Sequence, residues 1–231
     1  MSTFVLVHGA WAGAWVWKQL RPLLAQSGND VYSPSLSGQS ERIHLGGPHI
    51  NLTTHILDVK QLIEFEELND VVLVGHSYGG MVITGLADQI PDRIAHLVYL
   101  DAFLPDNGQS VDDISPLPDR VVEDGWRVMS PFRPQANTQP PQIQRVFGHP
   151  LGTMQEKVRL GVPLEKRAFT LTYIKAMEPQ RGEEGSNEAF WRAFDRTRSD
   201  PSWHTFEMPT THNVQLTMPQ ELSKILLEVA K

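Results

Sequence analysis

The chain of 231 residues contains no cysteine, which excludes a disulfide scaffold, thiolate metal sites and a cysteine nucleophile. It lacks any uninterrupted apolar run approaching ~18 residues, so nothing in it reads as a bilayer span. Basic residues are the minority: 20 Lys and Arg against 27 Asp and Glu give a formal net charge of −7. A surface of that sign repels phosphate backbones and anionic lipid, so neither nucleic acid nor a membrane is an expected partner. Met1-Ser2-Thr3 runs straight into a strand-like segment and leaves no room for a signal peptide. The expected location is the cytoplasm. What remains is an ordinary globular balance, 40% apolar and 20% charged, at a length that suits one good-sized domain.

Short β-rich runs alternate with longer helical patterns. Strands are expected at 4–7, 31–36, 71–74, 94–100, 168–174 and 203–208, and helices at 15–26, 52–68, 81–90, 187–198 and 219–230. Such alternation needs crossover connections, hence an α/β fold with a mostly parallel sheet of about six strands and helices on both faces. The texture changes after Phe103. Residues 104–165 hold nine of the seventeen prolines and little periodicity. That stretch is too long for a simple loop and too rich in Trp, Met and Leu for a linker. It reads as a cap inserted into a core made of 1–103 and 166–231.

Gly75-His76-Ser77-Tyr78-Gly79 fits G-x-S-x-G. The pattern alone is weak, but here it joins a Val/Leu strand to a helix, the context in which it presents a serine hydroxyl above a sheet. A helix N-terminus behind that hydroxyl favours developing negative charge. A serine needs a base within hydrogen-bond reach to attack a carbonyl. Of the nine histidines, His212 alone lies just beyond the last strand, at the C-terminal sheet edge where Ser77 also sits. A carboxylate must then orient the imidazole and stabilise its cation. Asp101, straight after the fourth strand, and Glu178, after Met177, both stand at strand exits. A carboxylate directly after a buried strand is costly unless paired, which argues for a partner at Asp101. An oxyanion hole requires aimed backbone N–H groups. Tyr78 supplies one and the loop His8-Gly9-Ala10-Trp11 another, from Ala10. Trp11 lies in that loop and could wall a substrate pocket, whereas Trp15 reads as packing.

At this point the chain resembles an α/β-hydrolase, and most of all the compact branch of plant methylesterases, hydroxynitrile lyases and bacterial esterases. Phe4-Val5-Leu6-Val7-His8-Gly9-Ala10-Trp11-Ala12-Gly13-Ala14-Trp15 is similar to that branch's opening segment. Residues 75–80, Phe103-Leu104-Pro105 and 212–219 match as well. The resemblance implies a Ser–His–acid triad working without metal or cofactor, with oxyanion donors at Ala10 and Tyr78. The branch's usual aspartate falls at Pro179, beside Glu178. Other α/β-hydrolases carry the acid after the preceding core strand, where Asp101 stands, so Asp101 is favoured. The lyases' threonine and lysine fall at Gly9 and Asn213, which favours ester hydrolysis over cyanohydrin cleavage. Ser77, rather than Asp, as nucleophile disfavours haloalkane dehalogenases and epoxide hydrolases.

The expected activity is therefore hydrolysis of small to medium, largely apolar carboxylic esters through an acyl-enzyme. Leu117, Trp126, Met129, Phe132 and Phe147 would supply apolar pocket walls. A lactonase or thioesterase would use the same machinery, and a small-ligand receptor on a hydrolase frame or a hydroxynitrile lyase are the remaining alternatives. The partner is a small molecule, and apolar residues in the cap leave room for a homodimer.

Overall fold

The computed structural model describes residues 1–131, 148–184 and 187–231. The chain opens with β1 (Thr3–Val7), β2 (Asp30–Tyr32), β3 (Val71–His76) and β4 (Ile94–Leu100). Within the insertion that follows, β5 (Val122–Glu123), β6 (Arg127–Val128) and β7 (His149–Pro150) form a small antiparallel sheet of their own. With β8 (Thr170–Ala176) and β9 (Trp203–Met208) the chain returns to the main sheet. That sheet has six strands in the order β2-β1-β3-β4-β8-β9, every neighbouring pair parallel.

Helices cover both faces, as the α/β expectation requires. On one face α2 (Leu52–Phe65), α3 (Gly79–Gln89) and α6 (Glu188–Arg198) enclose Val5, Val7, Leu73, Tyr99 and Tyr173. On the other, α1 (Leu20–Gln26) and α8 (Pro219–Val229) cover Phe4, Leu6, Val72, Val74 and Ile174. Two-sided cover explains why β3 reads as a continuous apolar run. Each fully buried Val, Leu or Ile there contributes about 1.5–3 kcal/mol. Shorter helices are α4 (Val111–Ile114) and α5 (Leu151–Gln155) in the insertion and α7 (Val214–Thr217) before α8.

Two expected elements are shorter than the sequence pattern implied. The helix over 15–26 is a 3-10 turn, Ala14–Trp17, followed by α1. Pro22 is the cause: it has no N–H to give residue 18, and it fits only in a helix's first turn. The strand over 31–36 stops at Tyr32, because Pro34 cannot donate to the ladder. Elsewhere the ends move by a few residues, and β3 runs on to His76, one residue short of the serine.

In a parallel sheet all C-terminal strand ends share one edge. Ser77 follows β3, Asp101 follows β4, Lys175 lies near the end of β8, and His212 comes shortly after β9. This is the edge at which ligands bind open α/β sheets.

Candidate active site

Among the described residues seven non-glycines have positive φ, and three of them follow β1, β3 and β4: Trp11 (55°), Ser77 (56°) and Asp101 (40°). Side chains rarely adopt this left-handed region, and such residues gather at functional sites. At the serine turn the backbones are very close. A Cβ on Gly79 would lie 2.7 Å from the Val7 carbonyl oxygen, and one on Gly9 2.8 Å from Ser77 Cβ. Only glycines allow the β1 loop to lie against the turn. Ser77 is half-buried between neighbours that are fully buried, and among the described residues its hydroxyl has no hydrogen-bond partner. The hydroxyl is therefore free for an incoming group.

His212 Nδ1 lies 2.7 Å from Asp101 Oδ2, with the imidazole about a third exposed at 35% and the carboxylate nearly sealed at 4%. Phe190 stacks on the imidazole, 5.0 Å between centroids and 9° between planes. His76, adjacent to Ser77, donates from Nε2 to the His212 carbonyl at 2.9 Å and places its ring 4.5 Å from the His212 ring. That bond carries the histidine loop to the serine turn. Ser77 Oγ and His212 make no hydrogen bond to each other here, and contacts of this kind often close only when substrate is present. Glu178, the other candidate acid, is exposed on the surface.

Burial pushes the Asp101 carboxyl up, but the His212 hydrogen bond and charge, with Lys175, bring it below its ordinary value. Lys175 Nζ lies 2.8 Å from Asp101 Oδ1, donates to the Ala176 carbonyl and sits 4.3 Å over the Trp191 ring. The residue-by-residue reading of the sequence passed over this lysine. Its signal was one cation inside the otherwise apolar run Tyr173-Ile174-Lys175-Ala176-Met177, a placement that demands a buried partner.

On the other side of Ser77 lies a cluster of buried, neutral imidazoles. His8 Nε2 accepts the Leu36 N–H at 3.0 Å, so Nδ1 carries the proton and donates to the Gly9 carbonyl at 2.8 Å. In a trans peptide this turns the Ala10 N–H the opposite way. Among the described residues, neither the Ala10 N–H nor the Tyr78 N–H finds an acceptor within the chain. His55 donates from Nε2 to the Ser37 carbonyl and accepts the Tyr78 hydroxyl at Nδ1, both at 2.9 Å. His149 donates from Nε2 to Thr153 Oγ1 at 2.6 Å, accepts from Gln39 and stands 4.7 Å from the Tyr78 ring. Burial pushes His8 and His55 down to about 4, His76 to about 3 and His149 well below the usual range.

Trp11 donates from Nε1 to the Val128 carbonyl at 2.8 Å and packs against His149 at 5.8 Å. It thus ties the β1 loop to the insertion. Leu117, Met129 and Val128 line a cavity of about 440 Å³ within the insertion. Trp126 is half-buried and lies close over Gly46, whose added Cβ would come 2.7 Å from the indole. No hydrogen bond or ring contact among the described residues joins it to Ser77 or His212. Phe132 and Phe147 lie outside the described residues.

Residues 4–224 match the alpha/beta hydrolase family. A carbendazim hydrolyzing esterase of Nocardioides sp. (strain SG-4G) is 36% identical over 248 residues, 98% of each chain. The salicylic acid-binding protein 2 of Nicotiana tabacum is 31% identical over 147 residues, 63% of this chain and 56% of its own. The crystal structure of a pyrethroid hydrolase, PytH, aligns at a TM-score of 0.79, covering 99% of this chain and 97% of that one; at 22% identity it speaks for the fold alone. By its sheet, its serine turn and these matches, the chain belongs to the alpha/beta hydrolase family.

Proposed function

We propose that this hydrolase cleaves carboxylic esters through an acyl-enzyme on Ser77, with His212 as general base and acid and Asp101 orienting it. The observation that carries this reading is the 2.7 Å Asp101–His212 hydrogen bond at the sheet edge that also presents Ser77. With Nδ1–H given to Asp101, Nε2 is left to take the serine proton as Oγ attacks the acyl carbon. The Ala10 and Tyr78 N–H groups receive the oxyanion. His212 returns the proton to the departing alcohol, and water then resolves the acyl-enzyme. The full-length relative described as a carbendazim hydrolyzing esterase supports ester hydrolysis.

Cyanohydrin cleavage is disfavoured by space as well as by residue type. A side chain at position 9 would meet Ser77 Cβ at 2.8 Å, so the lyases' threonine could not stand there without a shift of the serine turn. Residues 104–165 act as the cap, and Trp11, through its bond to Val128, supplies one wall of the acyl or alcohol pocket.

A p-nitrophenyl ester tests the reading. Wild-type protein gives a burst of one nitrophenol per chain before steady turnover. Ser77→Ala gives neither, and turnover surviving that change would overturn the assignment.

A further inference from the structure

The carboxylate of Asp101 faces two cations' worth of donors but only one permanent charge. Oδ2 receives His212 and Oδ1 receives Lys175, with the Ala176 N–H at 3.4 Å as a weaker third donor. Lys175 has its own directions filled by Asp101, the Ala176 carbonyl and the face of Trp191. Both side chains are 4% exposed. An ammonium and a carboxylate this deep persist only because each neutralises the other. When His212 is neutral the three-residue cluster carries no net charge, and when His212 is protonated it carries one positive charge.

We propose that Lys175 is a positioning residue for the reaction, holding one carboxylate oxygen so that the other meets His212 and keeping the imidazole unprotonated at lower pH than an acid–histidine pair alone would. This rests on the roles given to Ser77, His212 and Asp101 above. The sign follows from charge alone. Wherever in the Asp101–His212 pair an added proton settles, a neighbouring cation opposes its arrival. Other groups packed on the cluster do not substitute for the lysine. His76 from β3 is a neutral imidazole, with Nε2–H on the His212 carbonyl and Gln215 of α7 beside Nδ1 at 3.4 Å. Tyr173 of β8 gives its hydroxyl proton to the Ala102 carbonyl. From α6 come the uncharged rings of Phe190 and Trp191, while Arg196 of that helix is paired with Asp106.

The test is the pH dependence of kcat/KM for Lys175→Met, with p-nitrophenyl ester as substrate. The acid limb is expected to move up by about one to two pH units, from a unit charge removed at short range. That is a 10- to 100-fold loss of activity below the wild-type limb, with KM little changed. A purely structural lysine would lower the plateau and the melting temperature but leave the limb in place, and that outcome overturns the proposal. Should Lys175→Met fail to fold, Lys175→Gln and Lys175→Arg separate reach from charge: the limb must move in the first and stay in the second. An inactive wild type, or activity kept in Ser77→Ala, would instead break the esterase reading.

Discussion

The two sides of Ser77 solve the problem of buried polarity differently. Toward β4, β8 and β9 the polar groups are ions: Asp101 and Lys175 in contact, with His212 at their solvent side. Toward β1 and the insertion they are neutral: His8, His55 and His149, each with one ring nitrogen donating and the other accepting. The ionic side holds its charges in direct contact, with the imidazole reaching solvent at its edge. The neutral side resists taking on charge, since burial makes each imidazolium expensive. In the mechanism proposed above, proton transfer belongs to one side of the serine and rigid aiming of backbone donors to the other. Experiments that exchange the behaviour of the two sides are the sharpest tests.

The largest effect is expected on the ionic side. Asp101→Asn keeps the shape but offers His212 an amide, and kcat should fall by about 10³–10⁴-fold with the fold intact. Glu178→Gln, on the exposed surface, should change little. Stopped-flow or steady-state rates on both variants decide which carboxylate serves, and a collapse in the second with none in the first would move the acid to Glu178.

On the neutral side His55→Phe removes the partners of the Tyr78 hydroxyl and the Ser37 carbonyl. Stability should drop by about 2–4 kcal/mol from two buried groups left unpaired. Turnover should fall about tenfold as the Tyr78 N–H loses its fixed direction, while the acid limb of the pH profile stays put. A limb displaced as far as that expected for Lys175→Met would erase the distinction between the two sides.

Acid should find the buried neutral imidazoles on either side of the serine first. His8 and His55 are held to about 4 and His76 to about 3, against an ordinary 6.5, so below pH 6.5 the unfolded chain binds protons that the folded chain refuses. Stability from these residues is therefore complete above pH 6.5 and declines as pH falls toward 4. Unfolding at pH 5 should take up about three protons on their account, read from the slope of unfolding free energy against pH. Asp101, held low, adds a loss of the same sign at still lower pH.

How much of this was legible follows the same division. Val71-Val72-Leu73-Val74 announced a strand, and G-x-S-x-G after it announced the serine turn. Asp101 stood out as a carboxylate at the end of a buried run. These are local signals, each contained within a few neighbouring residues. Lys175 differs from its apolar neighbours in sequence, but its partner depends on β4 and β8 being neighbours with Leu100 opposite Ile174, which no local pattern states. The imidazole cluster was less legible still. His8, His55 and His149 come from three separate segments, and nothing in any one of them says that the others lie close by. Trp126 shows the same limit: an aromatic residue in the insertion suggests a pocket wall, but its neighbour Gly46 comes from a segment some eighty residues away that no local pattern connects to it.

The smallest effect is expected where the neutral side meets the insertion. Trp11→Phe keeps a ring against His149 but loses the Nε1–H bond to the Val128 carbonyl, a change of about 1 kcal/mol in stability. Trp11 has a φ of 55°, and it sits one residue after the Ala10 N–H. Loosening it should raise KM a few-fold by freeing the wall that Val128 shares with the cavity beside it. It should leave kcat nearly unchanged, because His8 still fixes the Gly9–Ala10 peptide. If kcat falls more than in His55→Phe, the insertion, rather than the imidazoles, aims the oxyanion donors, and the neutral side's role passes from the core to residues 104–165.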